Sequence, residues 1–237
     1  MIQGIDLTAE QRAVVQHKTG PAVVRAVPGA GKTTAMVHRI RGLVEEQDVS
    51  SDRILASSFS RATVRDLEAG LKTLGVRGVD TRTLHALGLS LLRRSDAAAP
   101  PNESAPNPGT AARLLARRAL SDLAADRDLD WDEIGISTRD LVDQVAAWKQ
   151  QLAYPDSEFQ NLSEAVREHA RTATYENEDV VRLYKRFEAL RQREGWLTYP
   201  DMLRGGWAAL LHDDALRADL QTTYCHVLVD EFQDVSR

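Results

Sequence analysis

The sequence predicts an α/β fold in which a parallel sheet is interrupted by a mostly helical insertion. Three observations predict it. Short β-like runs alternate with amphipathic helical patterns in the first part of the chain. A Pro- and Ala-rich stretch then breaks that alternation, and long helical periodicity follows it. An apolar run near the C-terminus restores the strand signal.

Four β-like runs are expected, at Ala22 to Val27, Ile54 to Phe59, Gly78 to Thr83 and His226 to Asp230. Several are nearly continuous apolar runs, as strands buried on both faces of a parallel sheet require. Between the first three, Met36, Ile40, Leu43 and Val44 mark one helical stripe, and Val64, Leu67, Leu71 and Leu74 mark another. Such β-α-β-α-β alternation argues for a parallel sheet with crossover helices. Residues 95 to 110 read SDAAAPPNESAPNPGT, the composition of a loop or linker. From Ala111 to Arg193 the pattern is helical. Leu141, Val145, Trp148 and Leu152 repeat at helical spacing, as do Val180, Leu183, Tyr184, Phe187 and Leu190, and Ser137 followed by Asp140 resembles a helix N-cap. The expected division is residues 1–93 for the first part of the α/β domain, 94–193 for the helical insertion, and 194–237 for the return to the α/β domain.

Composition sets bounds on function. Of 237 residues, 43% are hydrophobic and 27% charged, an ordinary globular balance. No apolar run is long enough to cross a bilayer, so a membrane role is disfavoured. The single cysteine, Cys225, rules out an intrachain disulfide and fits a reducing cytoplasm. It reads as a small buried residue near a strand start, and with His226 alone beside it a zinc site is disfavoured. The net charge of -5 does not advertise nucleic-acid binding, although local patches matter more than the sum. Arg93, Arg94, Arg113, Arg117 and Arg118 concentrate positive charge, read mostly as solvated helix faces.

The strongest motif runs from Ala26 through Pro28, Gly29, Ala30, Gly31, Lys32, Thr33 and Thr34. It follows an apolar run and opens an amphipathic helix, the context of a phosphate-binding loop. Gly29 and Gly31 allow backbone angles that other residues avoid, so successive N–H groups can curl around a phosphate chain. The helix starting near Lys32 aims its positive end at the same anion. Lys32 supplies a point charge near the β- and γ-phosphates of ATP, and the Thr33 hydroxyl can bind Mg²⁺. Ala26 stands where the general pattern has glycine. Near the C-terminus, Val227 to Val229 leads into adjacent carboxylates. Asp230 can hold Mg²⁺, directly or through water, and Glu231 can position and deprotonate an attacking water.

Together these residues resemble the UvrD/Rep/PcrA family of superfamily 1 DNA helicases, over nearly the whole chain and most closely at its two ends. The resemblance implies a RecA-like P-loop domain, called 1A, interrupted by a helical 1B subdomain. Leu7 to Val14 looks like the family's Q motif, which places Gln11 at the adenine edge; Thr8 and Gln11 also fit a capping box. Ile54 to Thr63 resembles motif Ia, which lies along single-stranded DNA. Phe59 would then stack near a base, and Ser60 and Arg61 would meet phosphate. Phe59 reads nearly as well as a core residue. Ala62 stands where the family usually has lysine. Thr83 and His85 belong to a segment resembling motif Ib, which touches the DNA backbone. Gly195 to Leu203 resembles the segment leading back into the first motor domain, with Tyr199 and Pro200 where the family tends to have an Asp-Phe pair. Val229 to Asp234 matches motif II, and Gln233 would sense the γ-phosphate or its water.

The resemblance implies an ATP-dependent DNA helicase or translocase, 3′→5′, that uses MgATP and single-stranded DNA in the cytoplasm. The family's later motifs are not found here. Because the family's strand after motif II lies between the phosphate-loop strand and the motif II strand, a gap or an open edge in the sheet is expected. The chain is therefore expected to be a gene fragment or half of a split protein, whose second polypeptide carries the later motifs. A binding remnant without turnover is the alternative.

Overall fold

The computed structural model describes residues 6–95, 102, 104–125 and 135–232. They form two compact units. One comprises the described residues of Met1–Leu84 and Ala218–Val235, the other those of His85–Arg217. The architecture is mixed α/β with a parallel sheet.

The first unit begins with helix α1 (Ala9–Gln16), opened by a full capping box between Thr8 and Gln11. Helix α2 (Lys32–Glu45) buries Val37, Ile40 and Leu43. Strand β1 (Ile54–Ser58) is buried at every residue. Helix α3 (Arg61–Thr73) follows, capped by Ser60, and then β2 (Asp80–Thr83). Strand β5 (His226–Val229) returns from the far end of the chain. All three strands are parallel in the order β2-β1-β5, with Ser58 opposite Thr83 and Ser57 opposite Val229. Ile54 and Ala56 pack with Val37, Ile40, Leu43, Leu67 and Leu71 into one core, so α2 and α3 cover one face of the sheet.

The expected strand at Ala22 to Val27 does not form. Its apolar composition promised a buried strand, yet Val23 and Val27 are largely exposed. A strand needs a ladder partner as well as a suitable sequence. Among the described residues β5 pairs with β1 alone, its Val227 is exposed, and Ala22 to Val27 joins no ladder. Cys225 is also exposed, contrary to expectation. It sits in the turn before β5, where its N–H donates to the Arg53 carbonyl.

The second unit is helical: α4 (Leu84–Arg94), α5 (Pro108–Ala124), α6 (Thr138–Gln150), α7 (Asp156–Phe159), α8 (Glu164–Arg167), α9 (Glu178–Glu194), α10 (Tyr199–His212) and the start of α11 (Asp214–Thr223). A two-residue parallel pairing joins β3 (Ala153–Tyr154) to β4 (Arg171–Thr172). Helix α5 begins inside the expected linker. Asn107 accepts a hydrogen bond from the Thr110 N–H and Pro108 occupies the first turn, a helix start that resembles a turn when read as composition. Ser137 and Asp140 form the expected cap of α6. Leu115, Leu141, Val145, Trp148, Leu183, Tyr184 and Phe187 make the core, with Trp148 stacked on Tyr184.

Beside that core lies a closed cluster of charges. Lys149 Nζ meets Glu188 Oε1 at 2.6 Å and Asp201 Oδ1 at 2.7 Å, and all three side chains are buried. Arg191 and Arg204 also reach both carboxylates. Burial alone would raise Glu188, but Arg191 and Lys149 hold it down at about 2. Asp201 is lowered in the same way, its burial outweighed by Lys149 and Arg191. Glu158 goes the other way, raised by burial and by the Glu188 charge.

Candidate functional site

The candidate phosphate loop is shaped by two glycines with left-handed backbone, Gly29 at φ 80° and Gly31 at φ 77°. Gly31 stands directly before α2, and no side chain caps that helix. Its N-terminal positive end is left for an anion. A Cβ at Gly31 would lie 2.6 Å from Gln11 Nε2, so close approach as well as φ requires glycine there.

Gln11 has two jobs. Its side-chain oxygen accepts from the Thr8 N–H at 3.0 Å, completing the α1 cap. Its Nε2 donates to the Ala30 carbonyl at 3.0 Å, tying the cap to the loop.

Asp230 and Glu231 arrive from the other end of the chain. The β1–β5 ladder places them, its last bond running from the Asp230 N–H to the Ser57 carbonyl at 2.8 Å. Thr33 Oγ1 donates to Asp230 Oδ2 at 3.4 Å. Lys32 Nζ stands 3.5 Å from Glu231 Oε1, both side chains partly exposed. The Glu231 N–H donates to Asp230 Oδ1 at 3.0 Å. Glu231 holds φ at 51°, an uncommon conformation for a residue with a side chain. Such backbone concentrates at functional sites.

The donor set fits a small hard cation. No group of three or more His, Cys, Asp or Glu able to hold a metal occurs among the described residues. Mg²⁺ does not need one, since it takes one or two protein oxygens and fills its shell with phosphate and water. The Thr33 hydroxyl and the Asp230 carboxylate are two such oxygens on adjoining elements.

The other sequence candidates fall in two places. Phe59 follows β1 and is 44% exposed, which excludes the core reading. Ser60 caps α3, its Oγ accepting from the Thr63 N–H at 3.0 Å. Arg61 opens that helix and is exposed. Thr83 ends β2 in the same sheet. His85 belongs to the helical unit, where its ring meets Tyr199 edge-on at 5.3 Å between centroids. Burial lowers its pKa. Gln233 lies outside the described residues. Ser58 lies within the expected strand at Ile54 to Phe59, but residue type alone did not set it apart; its burial and its register do.

The family of UvrD/REP helicase N-terminal domains matches residues 7–237. The chain belongs to that family. Among the UvrD/REP relatives, the ATP-dependent DNA helicase UvrD2 of Mycobacterium tuberculosis is 30% identical over the whole chain and 33% of its own length. PcrA of Leuconostoc citreum is 28% identical over 96% of the chain and 29% of its own length. Rep of Escherichia coli is 24% identical over 97% of the chain and 32% of its own length. The chain thus spans about a third of the length of these UvrD/REP relatives.

Proposed function

We propose that this chain is the MgATP-binding part of an ATP-dependent DNA helicase or translocase, acting 3′→5′ on single-stranded DNA in the cytoplasm. One observation carries the reading. Lys32 and Thr33 of the loop meet Glu231 and Asp230, which lie about two hundred residues further along the chain. Membership of the UvrD/REP family supports the same reading.

In this reading residues 1–93 and 194–237 form a RecA-like domain 1A, and 94–193 form the 1B insertion. Pro28 to Thr34 cradle the phosphates. Lys32 exchanges Glu231 for the β- and γ-phosphates. Thr33 and Asp230 would hold Mg²⁺, which when bound neutralises phosphate charge. Glu231, released from Lys32, accepts a proton from the water that attacks the γ-phosphorus; the bond to the bridging oxygen breaks and ADP leaves. Gln11 would meet the adenine edge, and the family resemblance assigns Gln233 the sensing of the γ-phosphate or its water. Phe59, Ser60, Arg61 and Thr83 of the sheet unit contact the DNA, and His85 is assigned a DNA contact by the same resemblance.

Binding without turnover is the second reading. It is favoured by the segment leading into the loop, Ala22 to Val27, which joins no strand. ATP hydrolysis with and without single-stranded DNA, with Lys32→Ala as the blank, separates the two. The first reading expects turnover above the blank that rises with DNA. Turnover equal to the blank in folded protein leaves only binding.

A further inference from the structure

At the end of β1 the Ser58 hydroxyl is a polar group that the described residues do not answer. Ser58 is fully buried, and its Oγ has no hydrogen-bond partner among the described residues. A buried hydroxyl gives up water and should gain a bond in exchange; leaving it bare is costly. The other serine of the strand shows the usual outcome, since Ser57 Oγ donates to the Arg82 carbonyl at 3.0 Å.

Register says where Ser58 points. Alternate residues of a strand share a face. Ile54 and Ala56 face the core under α2 and α3, so Ser58 issues from that face too. Ser57 lies opposite Val229, so the parallel ladder carried one residue further sets Ser58 beside Asp230. The bond from the Asp230 N–H to the Ser57 carbonyl confirms that the ladder continues to that point. Asp230 turns its Oδ2 toward Thr33, the second residue of α2. A bare hydroxyl therefore stands next to the carboxylate at the α2 side of the sheet.

We propose that Ser58 is a positioning residue of the nucleotide site, whose hydroxyl binds a water of the Mg²⁺ hydration shell beside Asp230. This rests on the MgATP reading above. Mg²⁺ keeps several of its waters, and those waters need acceptors and donors in the protein wall. Thr33 and Asp230 are engaged with each other, whereas Ser58 has both a donor and acceptor lone pairs to give.

The test uses the full chain and a fluorescent ADP analogue, titrated with Mg²⁺. Ser58→Ala is expected to raise the Mg²⁺ concentration for half-maximal binding about ten- to a hundredfold. Metal-free nucleotide binding stays at the wild-type level, and Ser58→Thr restores the metal dependence. Without ligand, Ser58→Ala melts at or above the wild type, because it loses only an unanswered hydroxyl. A Mg²⁺ dependence equal to wild type in Ser58→Ala overturns the proposal and leaves the site reading intact. A lower melting temperature in the free variant overturns its premise. A wild-type chain that binds no nucleotide with Mg²⁺ overturns both.

Discussion

In the sheet unit, Lys32 meets Glu231 at 3.5 Å and Thr33 meets Asp230 at 3.4 Å, and Lys32 and Glu231 stay partly open to water. In the helical unit, Lys149 meets Glu188 at 2.6 Å and Asp201 at 2.7 Å, with all three sealed from solvent. The first set is long, and its Lys32 and Glu231 are partly accessible. The second is short, many-partnered and closed. Groups that must exchange a protein partner for a ligand cannot be committed too deeply to the protein. Groups that only hold helices together can be. Counting ion pairs would rank the helical cluster first, but accessibility and the longer contacts point to the sheet unit.

The sharpest way to break this contrast is to remove one lysine from each unit. Lys149→Met leaves two buried carboxylates to Arg191 and Arg204 without their shortest partner, and is expected to destabilise the helical unit by up to about 3–5 kcal/mol in urea denaturation. Lys32→Met changes stability by at most about 0.5 kcal/mol. Equal losses would erase the distinction.

Phe59→Ala comes next. The ring is exposed, so thermal stability should hold. Affinity for single-stranded DNA should fall by about 1–3 kcal/mol, measured by fluorescence anisotropy. Lost stability with unchanged affinity would return Phe59 to a packing role.

Acid gives the gentlest test. The lowered folded-state pKa of Glu188 contributes stability that is fully present above the ordinary 4.5 and lost as pH falls through about 2. Asp201 shifts in the same direction. Glu158 is raised, so its contribution has the opposite sign, present in acid and lost as pH rises through its folded value. The near-ultraviolet signal of Trp148 on Tyr184 should therefore persist below pH 4.5 and disappear only as pH approaches about 2. Loss of that signal at pH 4.5 would show that the cluster is not sealed.

The ends of the site were legible because their chemistry is tied to residue type. Gly29, Gly31, Lys32 and Thr33 can be read as a phosphate loop without knowing the fold, and Asp230 and Glu231 as its complement. Gln11 was legible as a cap, and the structure also ties its amide to the Ala30 carbonyl of the loop. Ala22 to Val27 was misread because a strand depends on a partner that the segment itself does not encode. Asn107 and Pro108 were read as linker because the residues that start a helix also build turns. Lys149, Glu188 and Asp201 carried no signal at all. Each looks like a surface residue until three helices converge, and Asp201 also serves as the cap of α10.

Helix α1 buries none of its residues. Its moorings are the Gln11 amide on the Ala30 carbonyl, the Arg39 guanidinium donating to the Val15 carbonyl, and Val15 against Gly42. One mooring is thus on the candidate phosphate loop and the others are on α2 behind it. An α1 with no buried residue of its own owes its place to these tethers, so the first helix of the chain is fastened where the candidate site lies.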